Sequence, residues 1–187
     1  MTTTLEDFWQ YSLSVYAKPL VQPALLYLQD EHQADINILL LCCYSAAGGH
    51  PALNVDFLLQ AQTLTEPWRT TITEPLRALR RRLKQETSLL ALEEAAEIRA
   101  QILEIEVRSE RVSQRQLHSL LETTPTDATE PPIERAAWSL RTYLNQIGCR
   151  WQASVRNALE TLLNACFEDD KDAVFAISQS GLWCDES

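Results

Sequence analysis

Apolar positions along the chain recur mostly at helical spacing, in short stripes separated by turn signals. Leu5, Phe8, Trp9, Ser12, Leu13 and Tyr16 fall three and four apart, which predicts one face of a helix that Thr4 caps and Lys18-Pro19 ends. A second helix is predicted over about 20–31, with Val21, Ala24, Leu25 and Leu28 inward and Pro23 tolerated in its first turn. Asp35 then caps residues 36–44, a segment apolar on all sides. Such a helix belongs at the buried centre of a bundle. Gly48-Gly49 closes it, and Asn54 caps a fourth helix over about 55–64.

Two proline signals follow. Thr65-Glu66-Pro67-Trp68 starts a fifth helix with proline at the favoured first-turn position, and Thr73-Glu74-Pro75 repeats the pattern, predicting a kink or a new start. Leu76, Leu79 and Leu83 read as inward; Arg77, Arg80, Arg81, Arg82 and Lys84 read as mostly outward. The longest element is predicted over 88–121. There Ala91, Ala95, Ile98, Ile102, Ile105, Ser109 and Val112 alternate spacings of four and three, a coiled-coil-like seam. A second stripe (Leu89, Leu92, Ala96, Leu103, Val107) predicts packing on two sides.

Residues 123–132, rich in threonine and proline, read as a linker, with further helices near 133–147, 152–167 and 170–180. The expected fold is all-α. Residues 1–122 form a bundle around the buried 36–46 helix, including the long coiled-coil-like helix. Residues 133–187 form a looser C-terminal helical segment, either docked on that bundle or separate.

Composition narrows the function classes. With 45% hydrophobic residues in 187, the chain can bury a substantial core. Four glycines are too few for a glycine-rich phosphate loop or a sheet of tight turns. The net charge of −10 is uneven: residues 1–68 carry −6, residues 69–84 carry +5, and residues 85–187 carry −9. That balance argues against nucleic acid and anionic membrane as partners and leaves one basic segment as the exception. There is no apolar run long enough to span a bilayer, and the N-terminus is acidic where a secretory signal is basic, so a cytoplasmic location is expected. Five cysteines without a CxxC spacing read as buried free thiols.

Candidate chemistry is sparse. The densest polar cluster at an element junction holds Gln29, Asp30, His32, Asp35 and Asn37. Asp30, His32 and Asp35 are candidate metal ligands only if the intervening helix break brings them together; otherwise Asp35 is an N-cap and Asp30 satisfies nearby backbone or an aromatic N–H. Trp9, Tyr16 and Tyr27 suit either a ligand pocket or a core face. Cys42 and Cys43, in the most apolar helix, are expected to be inert, with His50 placed to reach them only by chance. No phosphate-loop, dinucleotide, zinc-protease or serine-hydrolase signature is present. The arginine segment can contact RNA phosphates, anionic lipid or an acidic partner, or pair internally with Glu93, Glu94, Glu97 or the acidic C-terminal region.

The N-terminal half resembles a family of uncharacterised small proteobacterial proteins. Phe8-Trp9, Ser12-Leu13, Val15-Tyr16, Leu28-Gln29-Asp30, Asp35, Asn37, Leu39-Leu40 and the closing Gly49 carry the resemblance over roughly residues 5–50. Similarity is weaker through Trp68 and the arginine-rich helix. Two positions depart from the pattern: Gln33 stands where a glycine is expected, and Tyr44 where tryptophan is usual. The resemblance implies a bacterial cytoplasmic helical domain and brings no activity, cofactor or site residues with it.

Two readings of function follow. The leading one is a non-enzymatic, adaptor-like protein that binds another protein, with Arg77, Arg80, Arg81 and Arg82 as contacts and no cofactor or metal; self-association through 88–121 is a variant of it. The alternative is a small-molecule- or metal-binding helical enzyme using Trp9, Tyr16, Gln29, Asp30, Asp35 and Asn37.

Overall fold

In the computed structural model, residues 5–85 and 93–183 are described. They comprise α1 (Leu5–Tyr16), α2 (Val21–His32), α3 (Ile36–Ala47), α4 (Val55–Trp68), α5 (Glu74–Gln85), α6 (Glu93–Leu121), α7 (Pro132–Gln146), α8 (Ala153–Cys166) and α9 (Lys171–Gln179). No strand occurs among the described residues, and the fold is all-α. Thr4, Leu89, Ala91 and Leu92 lie outside the described residues.

The boundaries follow local chemistry. Asp35 caps α3 by accepting from the Asn37 N–H at 2.8 Å, and Asn54 caps α4 by accepting from Phe57 N–H at 2.9 Å. At the end of α2 the turn into Asp35 passes through Gln33 at φ 59°, whose N–H bonds back to the Gln29 carbonyl. That left-handed conformation is one glycine takes without steric cost, so the glycine expected at this position would suit the backbone.

Between Pro67 and Pro75 the chain neither breaks nor restarts. A π-helical turn, Arg69–Thr73, joins α4 to α5. Pro75 lacks an N–H and crowds the carbonyl four residues back, that of Thr71 within the π turn, and the wider turn accommodates this defect without ending the helix. Pro67 lies inside α4 and does not start a helix.

α3 is the centre: every residue from Asn37 to Ala46 is buried. α7 packs along it, α8 packs on α2, and α6 runs against α1, α3 and α4. One continuous apolar core joins Phe8, Leu25, Leu39, Leu58, Leu117, Leu140, Leu159 and Trp183. The C-terminal helices are therefore docked on the bundle. The segment between α6 and α7 is tied down too: the Ala128 N–H donates to the Gly49 carbonyl at 3.2 Å, and His50 Nδ1 lies 3.0 Å from the Pro125 carbonyl.

α5 packs on α6 and the π turn, forming a two-helix arm. Here the register departs from the predicted seam. Ile102 and Ser109 are buried as expected, but Ile98 and Ile105 are exposed, and the buried row on α6 runs Ile102, Glu106, Ser109, Ser113, Leu117, Leu121. Leu103 and Val107, the second stripe, are exposed as well. Arginines of α5 reach for Glu106, and that pairing turns the carboxylate inward where the apolar pattern alone had placed Ile105. Leu79 likewise faces out, not in, and on α1 Leu13 is exposed while Val15 is buried.

Candidate functional site

Three elements converge beside the turn between α2 and α3. The last turn of α2 carries Gln29 and Asp30; α3 begins with Asp35 and Asn37; α5 contributes Arg77, Arg80 and Arg81. On α6, Glu106, Glu110 and Gln114 sit four apart, which stacks them on one face opposite α5 and α3.

Arg77 is the hub. Its guanidinium donates to Gln29 Oε1 at 2.6 Å, to Glu110 Oε1 at 2.5 Å and to Glu106 Oε1 at 3.3 Å. Arg80 forks onto Glu106, Nε to Oε2 at 2.6 Å and Nη2 to Oε1 at 3.1 Å. Glu110 in turn accepts from Asn37 Nδ2 at 2.7 Å, and Asn37 Oδ1 accepts from Gln114 Nε2 at 3.0 Å. Asp35 holds the Asn37 N–H, and its own N–H donates to the Tyr143 hydroxyl at 2.7 Å. Thus a chain of charge-assisted bonds runs from the surface arginines to the N-terminus of the central helix.

Burial sets the electrostatics. Desolvation pushes the Glu110 carboxyl up, against the pull of Arg77, and it also raises Asp35, against the Asn37 N–H, Arg69 and Arg77. The Glu106 bond holds the Arg80 charge more firmly than usual. Burial alone would raise Asp30, but the Arg81 bond, with Gln29 and the Arg81 charge, brings it below the ordinary aspartate range.

Above this network lies an open groove of about 680 Å³ between α2 and α5. Arg69, Arg77 and Arg81 line it together with Asp30, Glu74, Gln29, Gln33 and Gln85. Arg81 Nη2 meets Asp30 Oδ1 at 3.0 Å, and Arg69 pairs with Glu74.

The two regions singled out in the sequence, the 29–37 cluster and the arginine helix, are thus one site. Its members take different parts. Gln29, Asp30, Arg77 and Arg81 line the groove, whereas Asp35 and Asn37 serve the interior and Arg80 clamps Glu106. Arg82 is exposed and makes no ion pair among the described residues. Trp9 goes elsewhere, under the Arg111 guanidinium at 5.7 Å, and Tyr16 sits close enough to Arg77 and Glu110 to feel their charges. His32 meets the Tyr27 hydroxyl at 3.3 Å, apart from Asp35.

Asp30 and Asp35 do not converge on a common cavity: one carboxylate is on the groove wall and the other caps a helix. Among the described residues, no three His, Cys, Asp or Glu side chains are placed to hold a metal ion. Cys42 and Cys43 are fully buried, with both thiols pushed up in pKa, Cys42 by desolvation and Cys43 by its Cys166 contact and desolvation. The internal partners of Arg77 and Arg80 are Glu106 and Glu110, rather than the expected Glu93, Glu94, Glu97 or acidic C-terminal region. Their signal was the polar file 106, 110, 114 interrupting an apolar helix face.

A protein-family model described as "Protein of unknown function (DUF2390)" matches residues 7–117. No curated protein and no solved structure matches the chain.

Proposed function

The chain belongs to the DUF2390 family, and on that premise we propose a non-enzymatic, adaptor-like role: it binds another protein through the α5–α6 arm. The observation that carries this reading is the exposure of Leu79, Ile98, Leu103, Ile105 and Val107 on that arm, with Ile98 and Ile105 on one side of α6 and Leu103 and Val107 on the other. Large apolar side chains gathered on one element, rather than scattered singly, mark contact surfaces. Arg81, Arg82 and Lys84 on α5 are exposed as well, so the partner surface that fits offers apolar side chains to α6 and acidic ones to α5.

Arg77 and Arg80 support this surface from within, since their guanidinium groups are occupied by Glu106 and Glu110. Arg81 and Arg82 are the contacts. A cytoplasmic setting goes with this reading; its support is that Cys42, Cys43, Cys149 and Cys166 are free thiols.

Affinity capture of the tagged full chain from its own cells tests the proposal, with Arg81→Glu/Arg82→Glu and Leu103→Ser/Ile105→Ser as comparisons. A specific partner is expected with wild type and lost in both variants, with far-UV circular dichroism unchanged. Undiminished capture by both variants would sink the assignment. A concentration-dependent dimer on sizing, abolished by Leu103→Ser/Ile105→Ser, would make the partner a second copy of the chain.

A further inference from the structure

The groove between α2 and α5 shares Arg81 with the partner surface but has a property of its own: three arginines line one concavity of a chain whose net charge is −10. We propose that this groove binds a small molecule carrying two or more oxyanions, carboxylate or phosphate, seated on Arg69 and Arg81 over a floor that Arg77 forms.

Size comes first. About 680 Å³ lies within the range of small-molecule sites, on the order of 300–1,000 Å³. The chemistry of the walls is next. A guanidinium has five N–H donors in a planar fork, well matched to carboxylate and phosphate. Arg81 commits one nitrogen to Asp30, and Arg69 one to Glu74, so each retains donors for a second oxyanion.

Arg77 forms the floor. Its side chain is 20% exposed, and Glu106, Glu110 and Gln29 fix its orientation from below. A buried, positioned cation of this kind costs little to reorganise when an anion arrives. Gln29, Gln33 and Gln85 add neutral amides to the walls.

Asp30 and Glu74 act as placeholders. Each presents a carboxylate to a groove arginine, which shows that the guanidinium groups are aimed to receive one. Both remain near the surface, with side chains 48% and 43% exposed, and can swing into water when a ligand takes their place. The exchange swaps one carboxylate–guanidinium pair for another, so a ligand bearing several oxyanions wins by engaging Arg69 and Arg81 at once.

Calorimetric titration of the full chain at constant ionic strength tests the site, with citrate and inorganic phosphate as separate probes. Wild type is expected to bind at least one of them with a Kd near or below about 1 mM. Arg69→Gln and Arg81→Gln should each weaken binding about fivefold or more, because each removes a charged fork. Asp30→Asn should tighten it by a similar factor, because it removes the internal competitor. Arg82→Gln, outside the groove, should change nothing. Which probe binds more tightly separates carboxylate from phosphate.

Absence of binding to both probes by wild type and Asp30→Asn would overturn the proposal. So would equal weakening by Arg82→Gln, which would mean diffuse surface attraction. The substituted side chains are at least partly exposed, and thermal melts confirm that each variant is folded. Arg81 belongs to both surfaces, so Arg69→Gln, in the groove alone, and Leu103→Ser/Ile105→Ser, on the arm alone, tell the two readings apart.

Discussion

Asp35 serves two purposes that pull in opposite directions. As an N-cap it satisfies the Asn37 N–H at the head of the most buried helix, and as a carboxylate it sits where desolvation outweighs the favourable charges of Arg69 and Arg77. Its folded pKa is raised, so the ionised form weighs against the native state. That cost is absent in acid and grows as pH rises above the unfolded aspartate value of about 3.9. Asparagine caps as well as aspartate but carries no charge. Asp35→Asn is therefore expected to be more stable than wild type at pH 7, with the difference vanishing toward pH 4 in urea denaturation. Asp35→Ala, lacking the cap, should fall below Asp35→Asn by about 1 kcal/mol. A wild type more stable than Asp35→Asn at pH 7 would refute the assignment. This cap was legible in the sequence because capping is a contact between near neighbours. The bonds from Arg77 to Gln29 and from Arg81 to Asp30 were not, since they cross 48 and 51 residues.

At the scale of elements, the arm shows what periodicity determines and what it leaves open. Spacings of three and four established that 93–121 is a helix with an apolar sector, but that sector is broad and flanked by apolar residues on both sides. The phase was decided by Glu106, 6% exposed, which neutralises Arg77 and Arg80 together. Removing that carboxylate leaves Arg80 without an ion-pair partner and Arg77 with Glu110 alone, which is costly. Glu106→Gln is expected to destabilise the protein by about 2 kcal/mol. Its effect should be local: in native-state hydrogen exchange, amides of α5 should lose protection well before those of α3. Uniform loss across both helices would contradict the arm as a separately held unit. The π turn makes the same point. Pro67 and Pro75 announce a helix defect, yet whether the helix breaks or widens depends on surroundings, and here the buried Thr73 hydroxyl lies 2.7 Å from Ser109 Oγ on α6.

For the molecule as a whole, the unit of folding is larger than the segment that carries the family pattern. The matched residues end within α6, but α3 is walled by α7, and α2 by α8. Leu140, Tyr143, Leu159 and Trp183 belong to the same core as Leu39 and Leu58. A fragment of residues 1–122 would expose the apolar faces of α2 and α3 to water, at roughly 25 cal/mol per Å² uncovered. It is expected to show no cooperative thermal transition, whereas the full chain unfolds in one step. A sharp transition in the fragment would mean that the C-terminal helices are an accessory layer.

The sequence by itself determined the helices, their caps and the burial of α3, because these depend on local hydrogen bonding and on a segment with no polar face to offer to water. It also marked both halves of the candidate site, the 29–37 turn and the arginine helix, by composition alone. Only the tertiary structure decided that the halves meet, that Arg77 and Arg80 turn inward, and that Ile98 and Ile105 remain outside. The reason is physical: an arginine's partner is set by which helices pack side by side, and packing is a property of the whole core that no short stretch of chain encodes.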